Sequence, residues 1–377
     1  MSQASSPALT VQELIWEAER KLPPEIWDYV RGGAETETTL LRNRAALDSV
    51  ALLPRILRDV SEVDISTSLL GHALSLPVIL APIGSLSLLD PGGALASARA
   101  ATLEGTAAIV SIMAQQPIEE IAAASTGPLF FQLYVRGDDD WIERTIRRAE
   151  VAGYRALCIT ADSAVFGRRE RDLVNRFSSG KAADRANLGP EGRDVQIAAH
   201  QARLTWSSLA RIRSMTRLPI MLKGVMTPDD ARLAVEHGVE VVYVSNHGGR
   251  QLDHGPGTLD QLPAIVEAVA GRAEIVVDGG FTRGTDVVKA LCLGANCVAL
   301  GKLQAFALAA GGEEGVRRAL TILVEEIRVA MGLAGSSSVA ELGPESVQPD
   351  RPVRAPTHYA SCFDPNGRPP LRPAASS

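Results

Sequence analysis

The chain has 377 residues, and 46% of them are hydrophobic, which is enough for a large folded core. Its formal net charge is −6, and its lysines and arginines are spread thinly, so no partner nucleic acid is indicated. Its 4 cysteines match neither a disulfide framework nor a zinc-ligand spacing, so no metal site is predicted and a cytoplasmic location is expected.

The first 75 residues are expected to form a helical extension that packs on the domain that follows. The start, MSQASSPALT, lacks a basic segment followed by an apolar one, so no signal peptide is expected. Residues 11–50 have helical patterning. The longest uncharged stretch, residues 72–89, contains Pro77, Pro82 and Gly84, and it is too short and too interrupted to span a membrane. No membrane partner is expected.

From residue 76 to residue 342, short apolar segments alternate with helix-like segments that end in glycine, such as DWIERTIRRAEVAG. This alternation predicts an α/β fold in which eight parallel strands close into a (β/α)8 TIM barrel, and a doubly wound open sheet is the alternative. No G-x-G-x-x-G fingerprint follows the first strand, so a dinucleotide is not indicated. The predicted strands are 76–82, 107–112, 129–135, 156–162, 219–225, 240–246, 274–280 and 297–302.

Two segments interrupt this alternation. Residues 163–204, after the fourth predicted strand, form a long charged loop, and loops of this length in a compact domain are usually functional lids or disordered segments. We expect a mobile loop there. Residues 343–377 are rich in proline and end in PAASS, so this tail is expected to be disordered.

Polar and charged residues recur where the predicted strands end. In a barrel the carboxyl ends of the strands share one rim, and the chemistry of barrel enzymes lies there. Taken singly, each residue has an ordinary explanation: His247 could be solvent-facing, Asp162 could cap a helix, and residues 277–280 could be a plain turn. Their coincidence at one rim favours a functional site. The residues are Gln132, Tyr134, Thr160, Asp162, Lys223, His247, Arg250, Asp278, Gly279, Gly280, Gly301 and Lys302.

These side chains suit one kind of chemistry. A histidine with an acid behind it is the natural general base at neutral pH. An arginine offers a planar fork for a carboxylate, and a lysine can stabilise an anion that develops during the reaction. Glycines after the seventh and eighth strands match the phosphate site that is common in barrels. Together they favour oxidation beside a carboxylate by a flavin.

Several motifs resemble one known family. The segments 21–35 (KLPPEIWDYVRGGAE), 167–172 (GRRERD), 245–253 (SNHGGRQLD) and 278–287 (DGGFTRGTDV) are similar to motifs of the FMN-dependent α-hydroxy-acid oxidases and dehydrogenases. The resemblance covers roughly residues 10–342. It implies a TIM barrel, FMN as cofactor, a small 2-hydroxy acid as substrate and a homotetrameric assembly. The implied reaction is the oxidation of an (S)-2-hydroxy acid to the 2-oxo acid.

The resemblance also implies roles for individual residues. His247 resembles the catalytic base and Asp162 its partner, and Lys223 resembles the lysine beside the flavin. The implied substrate-binding residues are Tyr29, Tyr134, Arg168 and Arg250. The implied FMN-binding residues are Pro82, Ile83, Gly84, Ser111, Gln132, Thr160, Lys223, Ser245, Asp278, Gly279, Gly280, Arg283, Gly301 and Lys302.

The phosphate end departs from the family pattern. Thr282 and Lys302 stand where the family usually has arginines, and Arg283 is the neighbouring arginine. A lysine gives a point charge in place of a fork. We therefore expect FMN to be lost more readily than is usual in the family, unless Arg283 compensates.

Three further residues bear on the substrate and on the electron acceptor. Met113 stands where glycolate oxidase has a tryptophan, and Phe166 precedes the arginine pair, so a substrate bulkier than glycolate is expected. Gly84 matches a position near flavin N5 that is alanine in glycolate oxidase but glycine in mandelate dehydrogenase and lactate monooxygenase. Oxygen, a quinone or another acceptor stays open, as does oxidative decarboxylation of the lactate monooxygenase kind.

Two other functions stay open from the sequence. Lys223 on the fifth predicted strand could form a Schiff base in a lyase, which would need a lowered lysine pKa and no flavin. The chain could also be a family member that binds FMN weakly and serves as a non-catalytic interaction partner, as Thr282 and Lys302 would allow.

Overall fold

An N-terminal extension of three helices and three short strands precedes the main sheet. The computed structural model describes residues 7–180, 185–189, 198–352, 357, 358 and 360. The helices expected here are present, whereas the hairpin of β2 and β3 was not predicted, and Leu70 and Gly71 form its turn with φ angles of 52° and 75°. The elements are α1 (Val11–Lys21), α2 (Pro24–Arg31), α3 (Thr38–Asp48), β1 (Val50–Leu52), β2 (Thr67–Leu69) and β3 (His72–Leu74).

Eight parallel strands close into a barrel, which confirms the predicted (β/α)8 fold. Its first strand pairs with both the second and the eighth, so the doubly wound open sheet is excluded. The strands are β4 (Val78–Leu80), β5 (Ala108–Ser111), β6 (Leu129–Leu133), β7 (Leu157–Thr160), β8 (Ile220–Val225), β9 (Val241–Val244), β10 (Glu274–Val277) and β11 (Cys297–Leu300).

Helices cover the outside of the barrel. Because the strands are buried on both faces, they are apolar almost throughout, and this is why the sequence showed them as continuous runs. Inside the barrel, Phe130, Met221 and Tyr243 are fully buried, and Leu69 and Leu74 of the hairpin pack against this interior cluster. The helices are α4 (Gly93–Leu103), α5 (Ile118–Ala123), α6 (Asp139–Ala152), α7 (Glu170–Val174), α8 (Ala198–Ala202), α9 (Trp206–Met215), α10 (Pro228–Glu236), α11 (Thr258–Val269), α12 (Gly284–Cys292) and α13 (Lys302–Ala334).

The long loop after β7 folds over the carboxyl end of the barrel. It contains α7 and α8, and Arg185, Asn187 and Leu188 between them are buried. Residues 181–184 and 190–197 lie outside the described residues. The mobility expected for residues 163–204 stays a prediction.

The tail differs from the sequence expectation in its first part. Residues Val347–Pro349 form β12, which pairs antiparallel with β1, so a disordered tail starting at residue 343 is wrong for this segment. The pairing buries Val347, and Pro349 ends the strand, where a missing N–H group costs little. Beyond residue 352 the structure describes only residues 357, 358 and 360, and the rest of the predicted disordered tail lies outside the described residues.

The described residues lack two kinds of feature. None of their helices is both long and apolar enough to cross a membrane. No group of His, Cys, Asp and Glu among them could hold a metal ion. Cys158, Cys292 and Cys297 are buried free thiols.

Candidate active site

One cavity opens where the carboxyl ends of the barrel strands meet the loops that follow them. Most residues predicted for the site line this cavity, and several others lie directly behind its wall. The predicted residues behind the wall are Asp162, Ser111, Gln132, Thr160 and Ser245, whereas Arg168 and Arg283 belong to neither group. The predicted residues that line the cavity are Tyr29, Pro82, Ile83, Gly84, Tyr134, Lys223, His247, Arg250, Asp278, Gly279, Gly280, Gly301 and Lys302.

The turn after β9 carries His247 into the cavity with a left-handed backbone. The φ angles are 58° at His247, 63° at Gly248 and 75° at Gly249. Glycine adopts this region without steric cost, and a Cβ atom at Gly249 would lie 2.6 Å from the backbone nitrogen of Leu40. At His247, a residue with a Cβ atom, the same conformation is strained. The backbone N–H of His247 donates to Ser245 Oγ at 3.1 Å. The glycine pair therefore allows the turn to approach α3 closely.

His247 and Asp162 form a hydrogen-bonded pair. The distance between His247 Nδ1 and Asp162 Oδ1 is 2.9 Å. Because the carboxylate engages Nδ1, the neutral ring holds its proton there and Nε2 is the nitrogen that can accept another. Burial lowers the pKa of His247, and Asp162 only partly offsets this effect. The imidazole is therefore a neutral base at pH 7.

The ammonium group of Lys223 lies between two carboxylates. Its Nζ is 3.6 Å from Asp162 Oδ2 and 3.9 Å from Asp278 Oδ2, and it donates to Ser245 Oγ at 2.9 Å. Burial acts to lower the pKa of Lys223, but the two carboxylates outweigh burial and raise it above its ordinary value. Burial acts to raise the pKa of Asp162, but Lys223 and His247 hold it below its usual range. A charged lysine opposes the Schiff-base alternative, which needs a neutral amine.

Arg250 and two tyrosines form another part of the wall. Arg250 Nη1 donates to the carbonyls of Tyr29 at 2.6 Å and Gly32 at 2.8 Å, and its Cζ lies 4.9 Å from the centre of the Tyr29 ring. Burial and the neighbouring Arg169 lower the pKa of Arg250 to about 10, so it stays charged at neutral pH. Burial raises the pKa of Tyr134 to about 12, so its hydroxyl is a proton donor.

The second arginine of this wall is Arg169, which corrects the prediction for Arg168. The Arg168 side chain is 67% exposed and lies 3.8 Å from Glu170. Arg169 lines the cavity, and its Nε lies 3.5 Å from the carbonyl oxygen of Arg250. The backbone at Arg169 is extended, and in extended chain successive side chains point to opposite sides. Only one arginine of the pair can therefore face the cavity.

A chain of buried hydrogen bonds crosses the strand ends behind the cavity. Ser111 Oγ donates to Gln132 Oε1 at 2.6 Å, and Gln132 Nε2 donates to Thr160 Oγ1 at 3.0 Å. The three side chains lie on the neighbouring strands β5, β6 and β7 and are almost fully buried. Such a connected chain fixes the direction of each polar atom, which suits recognition of the polar edge of a heteroaromatic ring.

The end of the cavity near α13 offers partners for a phosphorylated ligand. Gly301 is the N-cap of α13 and provides no side-chain cap, so the first N–H groups of this helix can bind an anion. Lys302 Nζ donates to the carbonyl of Gly248 at 2.9 Å. Thr282 Oγ1 and Asp278 Oδ1 are buried oxygen atoms without a hydrogen-bond partner in the described structure. A phosphate oxygen and a ribityl hydroxyl would satisfy them, so these residues fit FMN.

Arg283 does not contribute to this end, which corrects its assignment to the phosphate segment. Its Nη2 lies 2.6 Å from Glu326 Oε1 on α13. The backbone N–H groups of Thr282 and Arg283 both donate to Asp286 Oδ2 at 3.0 Å, and Arg44 donates twice to the same carboxylate at 2.8 Å. This fixed turn directs Thr282 to the cavity and Arg283 away from it.

Besides Arg169, sequence reasoning missed three charged or titratable residues that line the cavity. These are Arg136, Arg185 and His358. His358 Nε2 lies 3.2 Å from Glu37 Oε2, and Glu37 also accepts two hydrogen bonds from Arg171 of the long loop. No motif marks these residues: Arg185 lies in the long charged loop, and His358 lies in the segment that was expected to be disordered.

Comparisons of sequence identify a family. The model of the family "FMN-dependent dehydrogenase" matches residues 18–349. The chain is 43% identical over 338 residues to glycolate oxidase 1 of Oryza sativa subsp. indica, which covers 86% of this chain and 91% of that protein. It is 41% identical over 348 residues to glycolate oxidase of Spinacia oleracea, which covers 88% of this chain and 94% of that protein.

Comparisons of structure give the same result. A crystal structure of mandelate oxidase with (S)-2-phenylpropionate is similar with a TM-score of 0.83 and 40% identity, over 92% of this chain and all of that chain. A soluble mutant of the membrane-associated (S)-mandelate dehydrogenase from Pseudomonas putida is similar with a TM-score of 0.86 and 34% identity, over 90% of this chain and 99% of that chain. This chain therefore belongs to the FMN-dependent dehydrogenase family and is an FMN-dependent 2-hydroxy-acid oxidoreductase.

Proposed function

We propose that the enzyme oxidises an (S)-2-hydroxy acid to the corresponding 2-oxo acid with His247 as the general base. The observation that carries this proposal is the 2.9 Å hydrogen bond between His247 Nδ1 and Asp162 Oδ1. It orients the ring so that Nε2 can take a proton from a substrate in the cavity, and Asp162 then stabilises the imidazolium. The lowered pKa of His247, caused mainly by burial, keeps this base unprotonated at neutral pH.

Arg250 and Arg169 hold the substrate carboxylate in this proposal. Two backbone carbonyls fix the guanidinium plane of Arg250, so little freedom is lost when it binds a carboxylate. The protonated hydroxyl of Tyr134 can donate to the substrate, and Lys223 supplies positive charge where negative charge develops. When bound, FMN accepts the two electrons that leave the substrate. Oriented groups of this kind accelerate the reaction by positioning.

An anaerobic spectrum tests the proposed function directly. Purified protein should be yellow, and the absorption bands of oxidised flavin should bleach when a substrate is added without oxygen. The panel is glycolate, lactate, 2-hydroxyisocaproate and mandelate, each with its (R)-enantiomer as control where one exists. A yellow protein that no 2-hydroxy acid bleaches would contradict the proposal and leave the non-catalytic FMN-binding alternative.

Within this panel we propose that bulkier substrates are preferred. Met113 lines the cavity with a flexible thioether, and Phe166 also lines it although its side chain is largely exposed. A solved relative of similar fold binds (S)-2-phenylpropionate, which has an aromatic ring. Each buried methylene should contribute about 1 kcal/mol at most, so the preference should be graded. The highest specificity constant for glycolate would contradict this reading.

The electron acceptor is open between oxygen and another oxidant. A Cβ atom at Gly84 would lie 2.5 Å from Met113 Cβ, so the cavity wall is tightly packed at this glycine. Oxygen consumption, with hydrogen peroxide and 2-oxo acid as products, identifies an oxidase. A product shortened by one carbon identifies the decarboxylating alternative. Turnover only with an added dye or quinone identifies a dehydrogenase.

We also propose a cytoplasmic location and a homotetrameric assembly, both of which rest on the sequence. Light scattering on the purified protein measures the mass of the assembly and distinguishes a tetramer from smaller oligomers. Cell fractionation of the source organism tests the compartment.

A further inference from the structure

Arg185 of the long loop is a buried cation that joins two walls of the cavity. Its side chain is 3% exposed. Its Nη1 donates to the carbonyls of Gly84 and Met113, the latter at 2.8 Å. Its Nη2 donates to Ser85 Oγ at 3.0 Å and to the carbonyl of Ser179 at 2.6 Å. The partners come from the loop after β4, the loop after β5 and the long loop itself.

The groups that Arg185 holds belong to the substrate end of the cavity. Gly84 and Met113 both line it, and they are in such close contact that a Cβ atom at Gly84 would lie 2.5 Å from Met113 Cβ. Ser85 Oγ also accepts a hydrogen bond from the Tyr29 hydroxyl at 3.3 Å. The Arg185 side chain therefore connects Gly84, Met113 and, through Ser85, Tyr29.

We propose that Arg185 is a positioning residue that sets the shape of the substrate side-chain subsite. It does so by fixing Gly84 against Met113, and it holds Tyr29 through Ser85. The inference rests on the proposed function, and it assigns to Arg185 the discrimination among 2-hydroxy acids and no role in the chemical step.

A guanidinium is suited to this task. Its five N–H donors lie in one rigid plane, so it can hold several carbonyl oxygens at fixed separations. Without it, the carbonyls of Gly84 and Met113 lose a buried donor, and the segments that carry them must move to find another partner. The wall beside the substrate side chain then loses its fixed shape, and large and small substrates are distinguished less well.

Arg148 of α6 offers a control because it contacts the same loop from outside the cavity. Its Nη1 donates to the carbonyl of Asn187 at 3.2 Å, and its Nε donates to Glu119 at 2.9 Å. Arg148 thus ties the segment that carries Arg185 to the outside of the barrel, and it is absent from the described lining of the cavity. Loosening the loop through Arg148→Met tests a purely structural effect.

The experiment compares Arg185→Met, Arg185→Lys and Arg148→Met with the wild type. The readout is the ratio of specificity constants for mandelate and lactate, from anaerobic flavin reduction. We expect Arg185→Met to change this ratio toward one by a factor of at least about five. Arg185→Lys should give a ratio between those of Arg185→Met and the wild type. Arg148→Met should give a ratio within about twofold of the wild type. Equal shifts in Arg185→Met and Arg148→Met, or an unchanged ratio in Arg185→Met, would overturn the inference.

A binding measurement keeps the inference testable whatever the turnover. The dissociation constants of phenylglyoxylate and pyruvate are read from the perturbation of the flavin spectrum, and their ratio should change in the same direction and order. If no hydroxy acid reduces the wild type, the proposed function fails and this ratio still decides the role of Arg185. If Arg185→Met does not retain FMN, Arg185→Lys takes its place in the test. The ratio should then change by about twofold, which is half of the fivefold change on a logarithmic scale.

Discussion

Replacing Asp162 with asparagine removes the charge behind His247 and keeps the shape of the side chain. Asp162 Oδ1 lies 2.9 Å from His247 Nδ1 and accepts from Ser163 Oγ at 3.0 Å, and Oδ2 lies 3.6 Å from Lys223 Nζ. An asparagine oxygen can still accept a hydrogen bond, but it cannot balance an imidazolium or an ammonium. We therefore expect Asp162→Asn to slow flavin reduction while FMN stays bound.

The structure gives the size and the pH dependence of this effect. A hydrogen bond to a charged group contributes about 1.5–3 kcal/mol, and losing the charged character of this bond in the transition state slows the reaction by up to about 150-fold. Burial lowers the pKa of His247, and Asp162 opposes that shift. Removing the carboxylate lowers this pKa further. Since the neutral imidazole is the active form, the acidic limb of the pH–rate profile moves to lower pH in the variant.

The assay is anaerobic stopped-flow bleaching of the flavin over about pH 5 to 9, which spans the ordinary pKa of histidine. Ser163→Ala is the matched control, because it removes a hydrogen bond to the same carboxylate oxygen and leaves the charge. We expect a smaller change from it than from Asp162→Asn, because the carboxylate that balances the imidazolium stays in place. The reasoning is refuted if Asp162→Asn reduces its flavin at the wild-type rate, or if its acidic limb moves to higher pH.

Three other substitutions test separate parts of the site. His247→Gln should retain FMN and slow flavin reduction by about 10² to 10⁴ or more, and near-normal anaerobic reduction would show that His247 is not the base. Arg169→Met should weaken substrate binding and slow reduction together, whereas the exposed Arg168→Met should leave steady-state kinetics unchanged; the reverse pattern would restore the sequence assignment. Thr282→Arg combined with Lys302→Arg should slow the release of FMN during dialysis at raised salt, and faster loss would contradict a weakened phosphate site.

The barrel was predictable because its strands are buried on both faces and are therefore apolar along most of their length. Each strand is a run of apolar residues, and the segments between strands keep helical spacing. Boundaries were less accurate, since hydrophobicity reports burial and not hydrogen bonding. The predicted strand 297–302 thus included Gly301 and Lys302, which belong to the start of α13. Short pairings such as that of β12 with β1 involve too few residues to give a period.

Site residues were predictable where their position along a strand determines the direction of the side chain. They were not predictable where contacts with distant parts of the chain determine that direction. The residues at the carboxyl ends of the strands meet at one rim because the strands are parallel. Arg168 and Arg169 are adjacent and chemically identical, so composition cannot say which one faces the cavity. Arg283 is turned away by its partner Glu326, which lies on another helix. Arg185 finds its carbonyl partners only when the long loop folds back over the barrel.

The phosphate end and the catalytic turn are joined by one side chain. Lys302 Nζ donates at 2.9 Å to the carbonyl of Gly248, the residue that follows His247. Burial and Arg250 lower the pKa of Lys302 well below its ordinary value. A phosphate beside this amine would favour its charged form and so strengthen the hydrogen bond to Gly248. Lysine has three donors, enough to serve an anion and a carbonyl together. We therefore expect the order of the His247 turn to depend on the anion that Lys302 binds.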